Sequence, residues 1–257
     1  MIITTSGRPG KASCHHVEIA RRFFKESSCV NREKRSIKAL YDQYQDDILV
    51  AGEKTFELFK NGVDDPFFYH PNSASFRIKR MMKGEKDPLI EAADLLPEDS
   101  FLDCTAGMAS DSLVASWYCG PPVTAIERNK EIAFITGQGL KSFQHKIDDI
   151  TLAMRRIQLI HEDAYSFLLS APSDSYDVIY FDPMFTETIE SKGITPLKRF
   201  AERYNDDLYK AISEAKRVAR KKVLLKDHFR SSRFEEMGFQ RLIRPSTKQH
   251  YGIISIH

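Results

Sequence analysis

The sequence predicts an α/β protein built on a mainly parallel sheet. Two observations point there. From residue 86 onward, short apolar runs alternate with longer amphipathic segments. Four successive runs also end in, or lead within a few positions to, an acidic residue: Asp103, Glu127, Asp163 and Asp182. Ligands bind an open parallel sheet outside the carboxyl ends of its strands, where the strand order reverses. Four acids at that edge, each separated from the next by a helix, therefore suggest one shared site.

The first 85 residues read as a small N-terminal α/β extension or cap. Ile2-Ile3-Thr4-Thr5 has strand character and is stopped by Gly7, Pro9 and Gly10. Val17, Ala20, Phe23 and Phe24 recur at helical spacing, which predicts a helix from His16 to Lys25. Asp47 to Ala51 reads as a second strand. Pro66 and Pro71 bracket an aromatic stretch and argue against a helix there.

Residues 86–257 read as the ligand-binding domain. Pro88 to Leu96 is a helix with proline near its start. Ser100 to Cys104 is a short buried strand, Thr105-Ala106-Gly107 a tight turn, and Ser110 to Tyr118 a helix. Val123 to Ile126 is a strand ending at Glu127, and Asn129 caps a helix whose apolar positions are Ile132, Ile135, Phe143 and Ile147. Ile157 to Ile160 is a strand, Asp163 to Leu169 a short helix, and Tyr176 to Phe181 a strand ending at Asp182. A loop with Gly193 and Pro196 follows, then a helix from Asp206 to Arg220 and a strand from Lys222 to Lys226. Phe239 to Ile243 and Tyr251 to Ile256 close the sheet as an antiparallel pair.

Composition narrows the function classes. The 257 residues suffice to bury about 70% of the extended-chain surface without a disulfide or metal staple. With 42% apolar and 29% charged residues the chain is not disordered. Lys+Arg of 38 against Asp+Glu of 36 leaves a net charge of +2, so any nucleic-acid contact must come from a local patch. No apolar run approaches a membrane span, and the N-terminus lacks the features of a signal peptide. Cys14, Cys29, Cys104 and Cys119 are scattered, which fits reduced thiols in a cytoplasmic protein.

The turn after the first strand of the domain, Asp103 to Gly107, is neither Gly-x-Gly-x-x-Gly nor a Gly-x-x-x-x-Gly-Lys-Ser/Thr loop, which disfavours dinucleotides and triphosphates. Gly107 lets backbone approach a ligand closely. Glu127 stands where a carboxylate accepts ribose hydroxyls, and an acidic rim suits a cationic ligand. A phosphate-free, cationic ligand carrying a ribose fits this set.

Phe101 to Gly107, Ala125 to Asn129 and Asp182-Pro183-Met184-Phe185 resemble the first motif, the ribose-binding acid and the fourth motif of the class I S-adenosylmethionine-dependent methyltransferases. More closely, Asp103 to Asp111, Glu127-Arg128-Asn129, Leu159-Ile160-His161 and Tyr180 to Phe185 are similar to the small-subunit ribosomal RNA guanine-N2 methyltransferases and their Gram-positive relatives. The resemblance implies a Rossmann-like sheet of seven mostly parallel strands with a reversed final strand. It implies S-adenosylmethionine as cofactor, contacted by Asp103, Thr105, Gly107, Ser110, Asp111, Glu127, Arg128, Asp163, Ala164 and Asp182. Asp182, Pro183 and Phe185 are the implied catalytic set, and ribosomal RNA or the small ribosomal subunit the implied partner. One departure stands out: the family's Gly-Arg-Asp after the first motif is here Ala109-Ser110-Asp111.

The chemistry implied for Asp182-Pro183 is methyl transfer to an exocyclic amine. A carboxylate and a backbone carbonyl accept the two N–H bonds, which favours a more nucleophilic nitrogen, and Phe185 stacks on the base. The donor is already a good electrophile, so the protein mostly positions the reactants. Rival readings stay open: a small-molecule N-methyltransferase, a non-catalytic RNA-binding or ribosome-assembly protein on the same fold, and an NAD-dependent enzyme.

Other features have plain readings beside functional ones. Phe76 to Lys83 is basic and amphipathic, either a solvated helix face or an RNA-phosphate or cofactor-edge contact. Ser73 reads as a helix cap, or with Pro71 to Ala74 as cover for the cofactor. Arg217, Arg220, Lys221, Lys222, Arg230 and Arg233 read as surface. Cys14-His15-His16 has no second cluster to complete a metal site, and adjacent histidines on a helix point apart. His161 and Cys104 read as structural.

Overall fold

A computed structural model describes residues 1–61, 63, 65–183, 206–245 and 247–256, with the side chains of residues 206 and 207 excepted. The loop with Gly193 and Pro196 lies outside these residues, as do Met184 and Phe185. The chain forms two compact units, residues 1–70 with 134–144, and residues 71–133 with 145–257.

In the first unit, strands β1 (Ile2–Thr5), β2 (Ser28–Cys29), β3 (Ile48–Ala51), β4 (Phe56–Phe59) and β5 (Phe67–Phe68) form one sheet in the order β2-β1-β3-β4-β5. β1 runs parallel to β2 and β3, while β4 and β5 return antiparallel. Ile2, Ile48 and Val50 pack with Leu40 of helix α2 (Ile37–Tyr44), which Ser36 caps through the Ala39 N–H. Helix α1 spans Lys11–Phe23, so it begins five residues before the expected His16. Its first turn, Lys11-Ala12-Ser13-Cys14, has no large apolar residue, so apolar periodicity there is silent, and Pro9-Gly10 marks the start instead. The Phe134 ring lies about 5 Å from those of Phe23, Phe24 and Phe56.

The second unit opens with helix α3 (Asn72–Met81). Its N-cap is Pro71 with no side-chain bond, so Ser73 is not the cap. Helix α4 (Pro88–Ala93) starts with proline at its first position and with Asp87 accepting the Leu89 N–H. Strand β6 (Phe101–Asp103), helix α5 (Ser110–Tyr118) and strand β7 (Val123–Glu127) follow the expected pattern.

The single helix expected from Asn129 to Ile147 ends at Ser142 as α6 (Lys130–Ser142), and a second helix, α7 (Asp148–Arg156), begins just after Ile147. Asn129 Oδ1 does cap α6, accepting the Ile132 N–H at 3.0 Å. Between the helices His145 N–H turns to Thr151 Oγ1 and Ile147 N–H to His145 Nδ1, and these bonds take the place of the helical ladder. Asp148 and Asp149 then sit in the first turn of α7, where carboxylates complement the helix dipole.

Among the described residues the remaining elements are β8 (Ile157–His161), α8 (Ala164–Ser170), β9 (Tyr176–Phe181), α9 (Asp206–Val218), β10 (Ala219–His228), α10 (Arg233–Glu236), β11 (Gln240–Leu242) and β12 (Gln249–Ser255). The seven-stranded sheet has the order β11-β12-β10-β9-β6-β7-β8. Strands β6 to β10 run parallel, and β12 is antiparallel to both β10 and β11. This is the expected seven-stranded, mostly parallel architecture. From β6 the chain moves outward to β7 and β8, then returns to place β9 on the other side of β6. The order therefore reverses between β6 and β9, the position at which open sheets of this kind bind ligands. One face of the sheet is covered by Leu208, Ile212, Ala215 and Val218 of α9 packed against Ile179, Val223 and Leu225.

Candidate active site

The site is built on the carboxyl ends of β6, β7, β8 and β9. Parallel register aligns them: Asp103 pairs with Tyr180 and with Ala125, and Glu127 with His161. Asp103 is 1% exposed. Its Oδ1 accepts the Thr105 N–H at 2.9 Å and its Oδ2 the Ser112 hydroxyl at 2.5 Å. Burial outweighs these bonds and pushes the Asp103 carboxyl up to about 7.

Thr105 spans the switch point, because its Oγ1 accepts the Asp182 N–H at 2.6 Å. Gly107 adopts φ +53°, a left-handed conformation that costs glycine least. That turn aims its N–H at Glu127 Oε2, 2.8 Å away, while Oε1 accepts the Asn129 N–H at 2.7 Å. Burial raises the Glu127 carboxyl, and the bonds from Asn129, Gly107 and Arg128 oppose that rise. Each oxygen of an ionised carboxylate keeps a second lone pair for a ligand hydroxyl.

Asp163 caps α8, its Oδ1 accepting the Ser166 N–H at 3.1 Å, and Ala164 is buried as the first residue of that helix. The Arg128 carbonyl meets the His161 ring 3.1 Å away. Cys104 is buried in the core, where burial pushes its thiol well above the usual range. Ser110 opens α5 and Pro183 is buried; Phe185 lies outside the described residues.

Asp111 faces a different set of partners. Its Oδ1 pairs with Arg77, and its Oδ2 accepts the Tyr180 hydroxyl at 2.9 Å and Lys226 Nζ at 3.0 Å. Burial opposes the Asp111 charge, but Lys226 and Arg77 outweigh it and hold the carboxyl well below the carboxylate range. Arg77 also grips Asp87 with Nε and Nη2, both at 2.8 Å. Lys226 Nζ continues the chain to Asp182 Oδ2 at 2.7 Å. Burial raises the Asp182 carboxyl; Lys226 opposes that and Asp111 adds to it. Among the described residues, Asp182 Oδ1 accepts no hydrogen bond, so one oxygen is held and the other can meet a donor.

Sequence reasoning did not assign Lys226 or Tyr180 to the site, and it left Arg77 open between a solvated helix face and a ligand contact. For Lys226 a signal existed: it lies at the carboxyl end of the fifth parallel strand, the edge that carries the acids. The register that pairs Leu225 with Phe181 then brings Lys226 beside Asp182.

Residues 34–243 match the family model SAM_MT, described as "Putative SAM-dependent methyltransferase". The chain belongs to this methyltransferase family. It is 42% identical over 260 residues to the uncharacterized protein YpiP of Bacillus subtilis, a match covering 98% of each chain. It is 35% identical over 114 residues to the ribosomal RNA small subunit methyltransferase J of Acinetobacter baylyi, 43% of this chain and 41% of that protein. The crystal structure of a SAM-dependent methyltransferase from Neisseria gonorrhoeae shares the fold, with a TM-score of 0.64 at 16% identity, covering 99% of this chain and 96% of that one.

S-adenosylmethionine is the family's cofactor, and the donor set fits it. The rim between β6 and β8 presents the Glu127 and Asp163 carboxylates and the backbone of the Thr105 to Gly107 turn, which the buried Asp103 braces, and this suits ribose hydroxyls and cationic groups. No helix among the described residues is long and apolar enough to cross a membrane.

Proposed function

We propose that this protein transfers a methyl group from S-adenosylmethionine to an exocyclic amine, the N2 of a guanine in small-subunit ribosomal RNA. The observation that carries the reading is the placement of Asp182 at the β6–β9 switch point, one carboxylate oxygen fixed by Lys226 and its backbone N–H fixed by Thr105. The partial likeness to ribosomal RNA small subunit methyltransferases supports the choice of RNA.

Glu127 holds the ribose hydroxyls, Asp163 the adenine amino group, and the Asp103 to Gly107 turn with Arg128, Ala164 and Ser110 lines the rest of the cofactor pocket. When bound, the cofactor supplies an electrophilic methyl group on a cationic sulfur. Asp182 Oδ1 accepts an N–H of the target amine and orients its lone pair for in-line attack, with Pro183 fixing the backbone that follows and Phe185 stacking on the base. Positioning dominates, and the amine proton is lost after transfer, so Asp182 need not act as a strong base. Asp111 acts beside this pocket by fixing Lys226.

The test is transfer of a labelled methyl group to small-subunit RNA from cells lacking this protein, followed by nucleoside analysis. N2-methylguanosine as the labelled product supports the reading. Label only in a small amine, or in another nucleoside, sinks the assignment.

A further inference from the structure

The second unit has an open cleft of about 440 Å³, one of whose lining residues is Lys226, the partner of Asp182. Six cationic side chains line it: Arg77, Arg80, Lys86, Lys226, Arg244 and Lys248; Asp87 is the one carboxylate among its lining residues. Their roles divide. Arg77 and Lys226 are committed to Asp87, Asp111 and Asp182. Arg80 and Lys86 face Glu85 and Glu91 as exposed pairs, which solvent weakens. Arg244 and Lys248 have no carboxylate partner among the described residues. Arg244 is steered by the Tyr251 ring, 5.6 Å from its guanidinium carbon.

A cleft of this size exceeds the needs of a lone phosphate and falls in the range of ligand pockets, roughly 300–1,000 Å³. Phe76 stands one helical turn from both Ser73 and Arg80, which line the cleft, and is 70% exposed. A cationic groove flanked by an exposed aromatic is the combination that binds single strands, with charge tracking the phosphates and the ring stacking on a base.

We infer that this cleft takes the RNA backbone next to the target guanine, Arg244 and Lys248 contacting phosphates and Phe76 stacking on a neighbouring base. The inference rests on the RNA reading above. Lys226 ties the two places together, since it lines the cleft and holds Asp182.

The experiment uses the full chain and a labelled single-stranded oligoribonucleotide from small-subunit RNA. Affinity is measured against salt for wild type, Arg244→Ala/Lys248→Ala and Phe76→Ala, with inorganic phosphate as competitor and cofactor affinity as the check on folding. Losing two phosphate contacts lowers the slope of log K against log salt by about 1.4, and the affinity falls at least tenfold. Phe76→Ala weakens binding about tenfold with the slope unchanged, and Lys248→Arg keeps wild-type behaviour.

Unchanged slope and affinity in a double variant that still binds cofactor, with wild type methylating RNA, would overturn the cleft and leave the RNA reading standing. Competition by millimolar inorganic phosphate, equal in wild type and Phe76→Ala, would also overturn it in favour of a small-anion site. A wild type that ignores RNA and methylates a small amine would remove both readings.

Discussion

Lys226 Nζ stands 2.7 Å from Asp182 Oδ2, with the two side chains 13% and 25% exposed. The ammonium also separates Asp182 from Asp111, two carboxylates that would otherwise repel. Burial opposes the Lys226 charge, but Asp111 and Asp182 outweigh it and hold the ammonium well above its usual range. Lys226→Met therefore leaves Asp182 without its cation and Asp111 with Arg77 alone, and costs about 3–5 kcal/mol of stability, read from urea midpoints. The Asp182 carboxyl rises further without the cation, so the acid limb of the rate profile moves to higher pH. Lys226→Arg restores most of both. A Met variant with the wild-type midpoint and pH profile would show the contact to be incidental.

Asp182→Asn keeps the side-chain shape but replaces one acceptor with a donor. Methyl transfer at saturating substrates falls at least about a hundredfold, the scale of a single well-placed polar group in a catalytic site. Single-turnover rates report this directly. Unaltered turnover would take Asp182 out of the chemistry.

Asp103 gives the chain a distinctive pH dependence. An acid raised to about 7 by burial stays protonated in the folded chain at pH 5, whereas its unfolded counterpart is ionised. The folded chain binds more protons in that window, so this group's contribution to stability falls as pH rises from about 4 through 7. Asp103→Asn removes the titration. Between pH 5 and pH 8 the variant gains about 2–3 kcal/mol relative to wild type, measured without cofactor. Parallel stability curves for the two proteins would contradict the assignment.

Glu127→Gln tests the ribose position. The carboxylate accepts backbone N–H groups on both oxygens, and a glutamine must turn its NH₂ toward one of them. The expected loss is about 1–3 kcal/mol of stability, together with a cofactor affinity at least about tenfold weaker by calorimetry. Wild-type cofactor affinity in a folded variant would place the ribose elsewhere.

In the first unit, a Cβ added at Gly139 would lie 2.1 Å from the Tyr69 ring. Gly139→Ala forces that ring aside, and overpacking of this kind costs about 1–3 kcal/mol. Thermal denaturation of the variant checks it; an unchanged midpoint would mean that the ring moves without penalty.

Strand-end acids and helix caps were legible because their signals are local. Asn129 and Asp163 announce helix starts, and Asp103, Glu127 and Asp182 close apolar runs of strand length. The chain of charges from Asp87 through Arg77, Asp111 and Lys226 to Asp182 was not legible, because it joins four distant segments and depends on sheet register. Nor does the sequence mark Ala109, which adopts φ +56° ahead of α5 although alanine disfavours that region. The break between α6 and α7 carries no proline or glycine. Its one local cue is the Asp148-Asp149 pair, acids in the first turn of a new helix.

The placement of residues 134–144 in the first unit bears on how the chain matures. Phe134 completes the ring cluster with Phe23, Phe24 and Phe56, yet 63 residues of the second unit, 71–133, are translated before it. At roughly 5–20 residues per second, synthesis from residue 71 to residue 144 takes about 4–15 s. For that interval the emerging N-terminal segment lacks part of its own interior and must wait on the ribosome with aromatic surface uncovered. Order of synthesis and order of folding are therefore not the same in this chain.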